Sequence, residues 1–218
     1  MLLSSTLGAT RLDSLAVSSS RQFLAYSNYL GRMIEIPDFV PAGPVEPEVI
    51  DEYRDRVPAE LIEYWEHYGY GTFASGFVRF INPREYEQAI GGCIGKVTGA
   101  GIAVPIMTTG FADLIAWEGD DGLAAVIFRE HRIRGLGPTL NTFMNLAIQA
   151  GPKHLSRVLA YDLFPAGVEP LGQPELEESL VFTPFPAAGG PGTVESLRKR
   201  TTIGAIQVAD YLLGPVLH

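Results

Sequence analysis

One cysteine, two tryptophans and sixteen basic side chains are all that this 218-residue chain holds of three telling residue classes. The lone Cys93 excludes an intrachain disulfide framework and a Cys-x-x-Cys metal clamp. It lies among Ile90 and Ile94, where a thiol reads as a small buried hydrophobe. No apolar run reaches the roughly 18–20 residues that a membrane helix needs. The opening residues, Met1 to Thr6, lack a basic region and a continuous apolar stretch, and Asp13 and Ser18–Ser20 interrupt the next part of the chain. They read poorly as a secretion signal, and a bacterial-type cytoplasm is expected. Sixteen Lys and Arg against 25 Asp and Glu leave a net charge of −9. Affinity for a phosphate backbone comes from Lys and Arg, so direct nucleic-acid binding is not expected.

Catalytic spacings are missing as well. Gly95-Lys96-Val97 has Ile90 where a phosphate-binding loop needs glycine, and Val97 where it needs Ser or Thr. Gly99-Ala100-Gly101 meets Val104 in place of the third glycine of a dinucleotide fingerprint. His67, His131, His154 and His218 form no pair at metal-ligand spacing. No Gly-x-Ser-x-Gly elbow occurs. No catalytic, cofactor-binding or metal-binding residue is therefore nominated, and a non-enzymatic binding protein is expected.

What is present is hydrophobic patterning and one concentration of acid. Hydrophobic residues make up 46% of the chain, enough for a substantial core. Between Pro37 and Tyr70 nine acids face only Arg54 and Arg56. Glu48–Val57 reads as a helix with Val49, Ile50, Tyr53 and Val57 on one face. A second helix opens at Pro58, carries Leu61, Ile62, Trp65 and Tyr68 as its stripe, and stops at Gly69. Next come a Gly-x-Gly turn, a strand over Gly76–Ile81 and a helix from Pro83. Gly91–Gly101 is the best break in the chain. Two apolar runs, Asp113–Glu118 and Ala124–Arg129, flank Gly119-Asp120-Asp121-Gly122 as a hairpin, with His131–Leu136 as a third strand. Thr139–Ala150 and Pro152–Phe164 read as helices, Leu180–Phe185 as a strand, and Val194–Leu213 as one helix kinked at Gly204. Trp65 and Trp117 both read as core.

These residues resemble a known family. Pro58-Ala59-Glu60-Leu61-Ile62-Glu63-Tyr64-Trp65, then Tyr68-Gly69-Tyr70-Gly71-Thr72-Phe73, Gly76-Phe77 and Ile81-Asn82-Pro83-Arg84-Glu85-Tyr86 are similar to the GAD-like domain. Pro105–Trp117 resembles the domain that comes after it in type VI secretion DNase-immunity proteins. Relatives there tend to read Thr-x-Phe-Gly-Asp, whereas this chain has Ala112 after the aromatic. Gly189-Gly190, ahead of Glu195-Ser196-Leu197, fits the same pattern. The resemblance implies an immunity protein that binds and neutralises a cognate toxin, a secreted DNase effector with a basic nuclease domain. The alternative is a non-catalytic adaptor or regulator of the same fold.

The expected architecture is α+β: a mixed or antiparallel sheet with helices against one side, in two closely packed subdomains. A weakly structured extension is expected at 1–36, a GAD-like subdomain at 37–98 and an immunity-type subdomain at 99–218. Partner-binding carboxylates are expected in two places. One is the outer face of the early helices, Glu52, Asp55, Glu60, Glu63 and Glu66. The other is the hairpin tip, Glu118, Asp120 and Asp121. No cofactor and no membrane contact are expected.

Overall fold

Short apolar runs joined by tight turns fold into an antiparallel meander. A computed structural model of the chain describes residues 33–94 and 103–216. The helix expected around 22–30, most of the expected extension and the Gly95–Gly101 segment lie outside the described residues. From Ile34 onward the described residues belong to one compact unit.

The elements run β1 (Val40–Gly43), α1 (Pro47–Tyr53), α2 (Ala59–Tyr68), β2 (Tyr70–Phe73), β3 (Val78–Phe80) and α3 (Pro83–Ile90). Then come β4 (Val104–Thr109), β5 (Leu114–Trp117), β6 (Leu123–Ile127) and β7 (Arg132–Gly137). The chain closes with α4 (Leu140–Asn145), α5 (Gly151–Leu159), α6 (Leu163–Leu171), β8 (Glu178–Phe182), β9 (Leu197–Thr201) and α7 (Thr202–Leu213). The first seven strands form one sheet in chain order, every pair antiparallel, and β8 and β9 form a separate ladder. The α+β class and the antiparallel sheet agree with expectation. One sheet takes strands from both sides of the expected subdomain boundary, because β3 pairs with β4 from Val78↔Thr109 to Phe80↔Met107.

Helices lie on both faces of the sheet, not on one as expected. On one face Leu114 and Val126 pack with Tyr86 and Ile90 of α3 and with Ala205, Ile206 and Ala209 of α7. Successive strand residues alternate sides, so Phe80, Met107 and Ile115 point the other way. There the Phe80 ring lies 5.8 Å from that of Tyr64 in α2. Burial on both faces explains why β5 and β6 read as continuous apolar runs rather than alternating ones.

Local chemistry sets several element ends. The Asn82 side chain accepts from the Arg84 N–H at 3.0 Å, and Pro83 occupies the first turn of α3, where its missing N–H loses no helical bond. Thr139 caps α4 in the same way, accepting from the Thr142 N–H at 3.1 Å. Three expectations change. The expected Gly-x-Gly turn at Gly69–Gly71 runs directly into a strand, Tyr70–Phe73, because Gly71 lets β1 approach: a Cβ there would lie 2.4 Å from the Val40 carbonyl oxygen. The helix expected over Pro152–Phe164 ends at Leu159, and Leu163–Leu171 is a separate helix despite its prolines. Pro165 stands in its first turn, where N–H groups have no helical partner. A side chain at Gly167 would meet Leu197 at 2.6 Å and Leu180 at 2.9 Å, so glycine admits close packing on β8 and β9. The expected long helix from Val194 is instead a short 3₁₀ turn, then β9, then α7. Pairing with β8, from Leu197↔Phe182 to Thr201↔Glu178, holds that segment extended.

Candidate functional site

The early helices present an acidic surface because their apolar residues are used up inward. Val49 and Tyr53 of α1, and Leu61, Ile62, Tyr64 and Trp65 of α2, are buried. Glu52, Asp55, Glu63 and Glu66 are exposed, and Glu60 is half-buried. These acids are not equivalent. Glu52 receives Arg84 through Nε at 2.8 Å and Nη2 at 2.5 Å. Glu66 lies 4.0 Å from Arg54, which also reaches Asp51 at 3.6 Å. Asp55, Glu60 and Glu63 have no Lys or Arg within ion-pair distance among the described residues. They carry the uncompensated charge of the face. Behind it, Arg56 pairs with Glu87 at 2.6 Å and lies 4.6 Å from the Tyr53 ring centre. The Tyr53 hydroxyl donates to Glu87 at 2.6 Å, and burial followed by that carboxylate raises its pKa.

The hairpin tip is only partly as expected. Asp120 and Asp121 are exposed in a 3₁₀ turn. Glu118 is buried, which corrects its expected role as a projecting side chain. Its N–H donates to the Gly122 carbonyl at 2.8 Å and its carbonyl accepts from the Asp121 N–H, so Glu118 closes the strand and does not belong to the tip. The tip and the end of α2 emerge at the same end of the sheet. They are three strands apart, roughly 14 Å at ordinary strand spacing. Trp65 is buried at 1% exposure, and Trp117 is half-buried at the end of β5.

A second acidic feature has no counterpart among the expected sites. Asp38 lines a cleft of about 250 Å³ with Phe73, Ser75, Ile148, Pro152 and Tyr161. The turn on its rim holds three successive left-handed residues, Ala74 (φ 52), Ser75 (φ 56) and Gly76 (φ 81). Left-handed backbone costs an L-residue about 1–2 kcal/mol, so two non-glycine residues there need external support. Asp38 Oδ2 accepts from the Ser75 N–H at 3.0 Å, and Gln173 Nε2 donates to the Ser75 carbonyl at 3.2 Å. A π-helical turn, Leu146–Ala150, supplies part of the opposite wall. Apolar walls with one carboxylate suit the stem and cation of a lysine or arginine. The residues that build this cleft are more than a hundred positions apart, so no local pattern announces it.

Two buried arginines organise the interior. Arg129 pairs with Asp113, and both are almost wholly buried. Thr109 Oγ1 donates to Asp113 at 3.1 Å, and Arg129 Nη2 donates to the Leu159 carbonyl at 3.3 Å. Burial pushes the Asp113 pKa up against the downward pull of Arg129. Ala112, where relatives were expected to carry glycine, has φ 62, the backbone state glycine adopts freely. Arg79 has no exposed surface and donates from Nε to the Gly76 carbonyl at 3.1 Å and from Nη1 to the Glu178 carbonyl. Burial lowers its pKa to about 10.

The remaining reactive groups are quiet. Cys93 is buried, and burial, with Asp210 beside it, raises its thiol pKa to about 11. The thiol is therefore protonated at neutral pH and a poor nucleophile. Among the described residues no group of three or more His, Cys, Asp or Glu is placed to hold a metal ion, and no helix is long and apolar enough to cross a membrane. His154 is buried with Nδ1 3.1 Å from Arg157 Nη2, and burial followed by that guanidinium lowers its pKa. Its neutral form is the one the fold favours. The stability it contributes is present above the unfolded pKa of about 6.5 and is lost as pH falls below that value through the lower folded one. The drop in melting temperature from pH 7 to pH 5 should be smaller in His154→Gln than in the parent; an equal drop assigns the pH sensitivity elsewhere.

A GAD-like domain is found at residues 26–129. The GAD-like domain thus includes β1 to β6, the acidic helices, Asp38 and both members of the Asp113–Arg129 pair. No curated protein matches the chain. The crystal structure of Atu4351 from Agrobacterium tumefaciens is similar, with a TM-score of 0.63 and 23% identity over 78% of this chain and 84% of that one. At that identity the likeness shows a shared fold alone. Its coverage is wider than the GAD-like domain, so the shared fold continues past residue 129.

Proposed function

We propose that the protein is a non-catalytic immunity protein that binds and neutralises a cognate toxin, a secreted DNase effector of a type VI secretion system, in the cytoplasm of the producing cell. The GAD-like domain at residues 26–129 supports the immunity class. The observation that carries the reading is the uncompensated charge of Asp55, Glu60 and Glu63 on the helical face of that domain. A nuclease domain that handles DNA presents a basic surface, which such a face attracts from a distance and covers on contact. The Asp38 cleft takes one basic side chain of the toxin. Exposed charges steer association, whereas buried contacts govern dissociation.

Binding to a candidate nuclease effector, one encoded beside this gene if the neighbourhood holds one, followed by surface plasmon resonance from low to high salt, tests this. The association rate should fall at least about tenfold as salt screens the charges. The triple variant Asp55→Lys, Glu60→Lys, Glu63→Lys should lose a similar factor at low salt with its melting temperature nearly unchanged. A salt-independent association rate that the triple variant leaves intact would remove the electrostatic reading. Absence of any nuclease partner would favour the adaptor.

A further inference from the structure

A second cleft, outside the GAD-like domain, has the opposite chemistry. It encloses about 520 Å³, within the range of small-molecule sites. Val181 and Phe185 form one side, and Ala205, Val208 and Leu212 of α7 form the other. The helix leaves this space open by its choice of residues. Gly204, Ala205, Val208 and Leu212 fall on one face, with the two smallest in the first turn. Glycine is unfavourable inside a helix, and at 204 it faces the cleft, where a Cβ would meet Thr201 Oγ1 at 2.6 Å. Val208 is 51% exposed and Leu212 57%, so the mouth is apolar and open.

One cation stands at that mouth. Arg200 is exposed on β9 and donates to the carbonyl of its neighbour Lys199 at 2.8 Å. Among the described residues it has no carboxylate partner; Arg79, Arg134, Arg157 and Arg198 have none either, but of these five only Arg200 lines the cleft. In a chain of net charge −9, an unpaired guanidinium at the mouth of an apolar cleft is complementary to an anionic head carrying an apolar chain. We propose that this cleft binds a free, monomeric long-chain carboxylate, with its chain between α7 and Val181–Phe185 and its head on Arg200.

Sodium dodecanoate, kept below its micelle concentration, should bind the full-length protein one-to-one in isothermal titration calorimetry. Dodecyltrimethylammonium, with the same chain and the opposite charge, should bind at least about tenfold more weakly. Arg200→Gln should weaken dodecanoate binding by a similar factor, and Val208→Trp, which fills the mouth, should abolish it. Both positions are exposed, and melting curves verify that the variants fold; if Val208→Trp does not, Arg200→Gln decides alone. No saturable heat, equal affinity for the cationic amphiphile, or wild-type binding by Arg200→Gln would overturn the proposal. So would sedimentation with phosphatidylglycerol vesicles without binding of monomeric dodecanoate, which would make the surface a membrane contact.

Discussion

Arg129→Met should destabilise the protein by about 3–5 kcal/mol, because it strands a carboxylate in the core. Asp113 has no exposed surface, and one of its oxygens, Oδ1, already lacks a hydrogen-bond partner among the described residues. Its other oxygen takes Arg129 together with Thr109. With the guanidinium removed, the fold must desolvate an unpaired anion or protonate it, and the Leu159 carbonyl loses its donor. Replacing both partners, as in Asp113→Leu with Arg129→Met, should cost less than the sum of the single changes, since neither charge is then left alone. Urea denaturation of the parent, the two single variants and the double variant gives the coupling directly. Strict additivity would mean that the pair acts as two independent groups and that the network around Thr109 does not depend on it.

Trp65→Ala should also cost about 3–5 kcal/mol, through lost burial and the cavity that remains. The ring is 1% exposed and meets Tyr53 edge-on at 6.4 Å between centres, so it joins α2 to α1 beneath the acidic face. Its indole N–H has no partner among the described residues, so Trp65→Phe sacrifices volume but no hydrogen bond and should cost far less than alanine. Thermal melts should show this order, with binding of the proposed toxin partner retained by every variant at temperatures where it is folded. An unchanged melting temperature with lost binding in Trp65→Ala would make the ring an interface anchor instead of a core residue.

The acidic face and the cleft at Asp38 show how far local pattern reaches. Helical spacing of Leu61, Ile62 and Trp65 already places Glu63 and Glu66 on the opposite side, and the structure agrees. The same pattern cannot say that Arg84 takes Glu52, because the two are 32 residues apart and meet only when α3 packs beside α1. Glu118 departs from expectation for a related reason. A turn pattern marks where the chain reverses, but burial of the side chain that closes the hairpin depends on segments packed around it.

Composition and periodicity by themselves determined the class of the molecule: α+β, with the hairpin at Gly119–Gly122, the helix from Pro83, Trp65 and Cys93 inside and an acidic early surface. These follow from interactions within a few residues, or from burial that depends only on residue type. Tertiary structure alone decided that helices cover both faces of the sheet, that Leu197–Thr201 is a strand, and that Leu163–Leu171 is a helix in spite of its prolines. It alone brought Asp113 to Arg129, Asp38 to Ser75 and Arg200 to the apolar cleft. Each of those outcomes depends on a ladder or a close contact between segments distant in the chain, where the energy of pairing outweighs local preference.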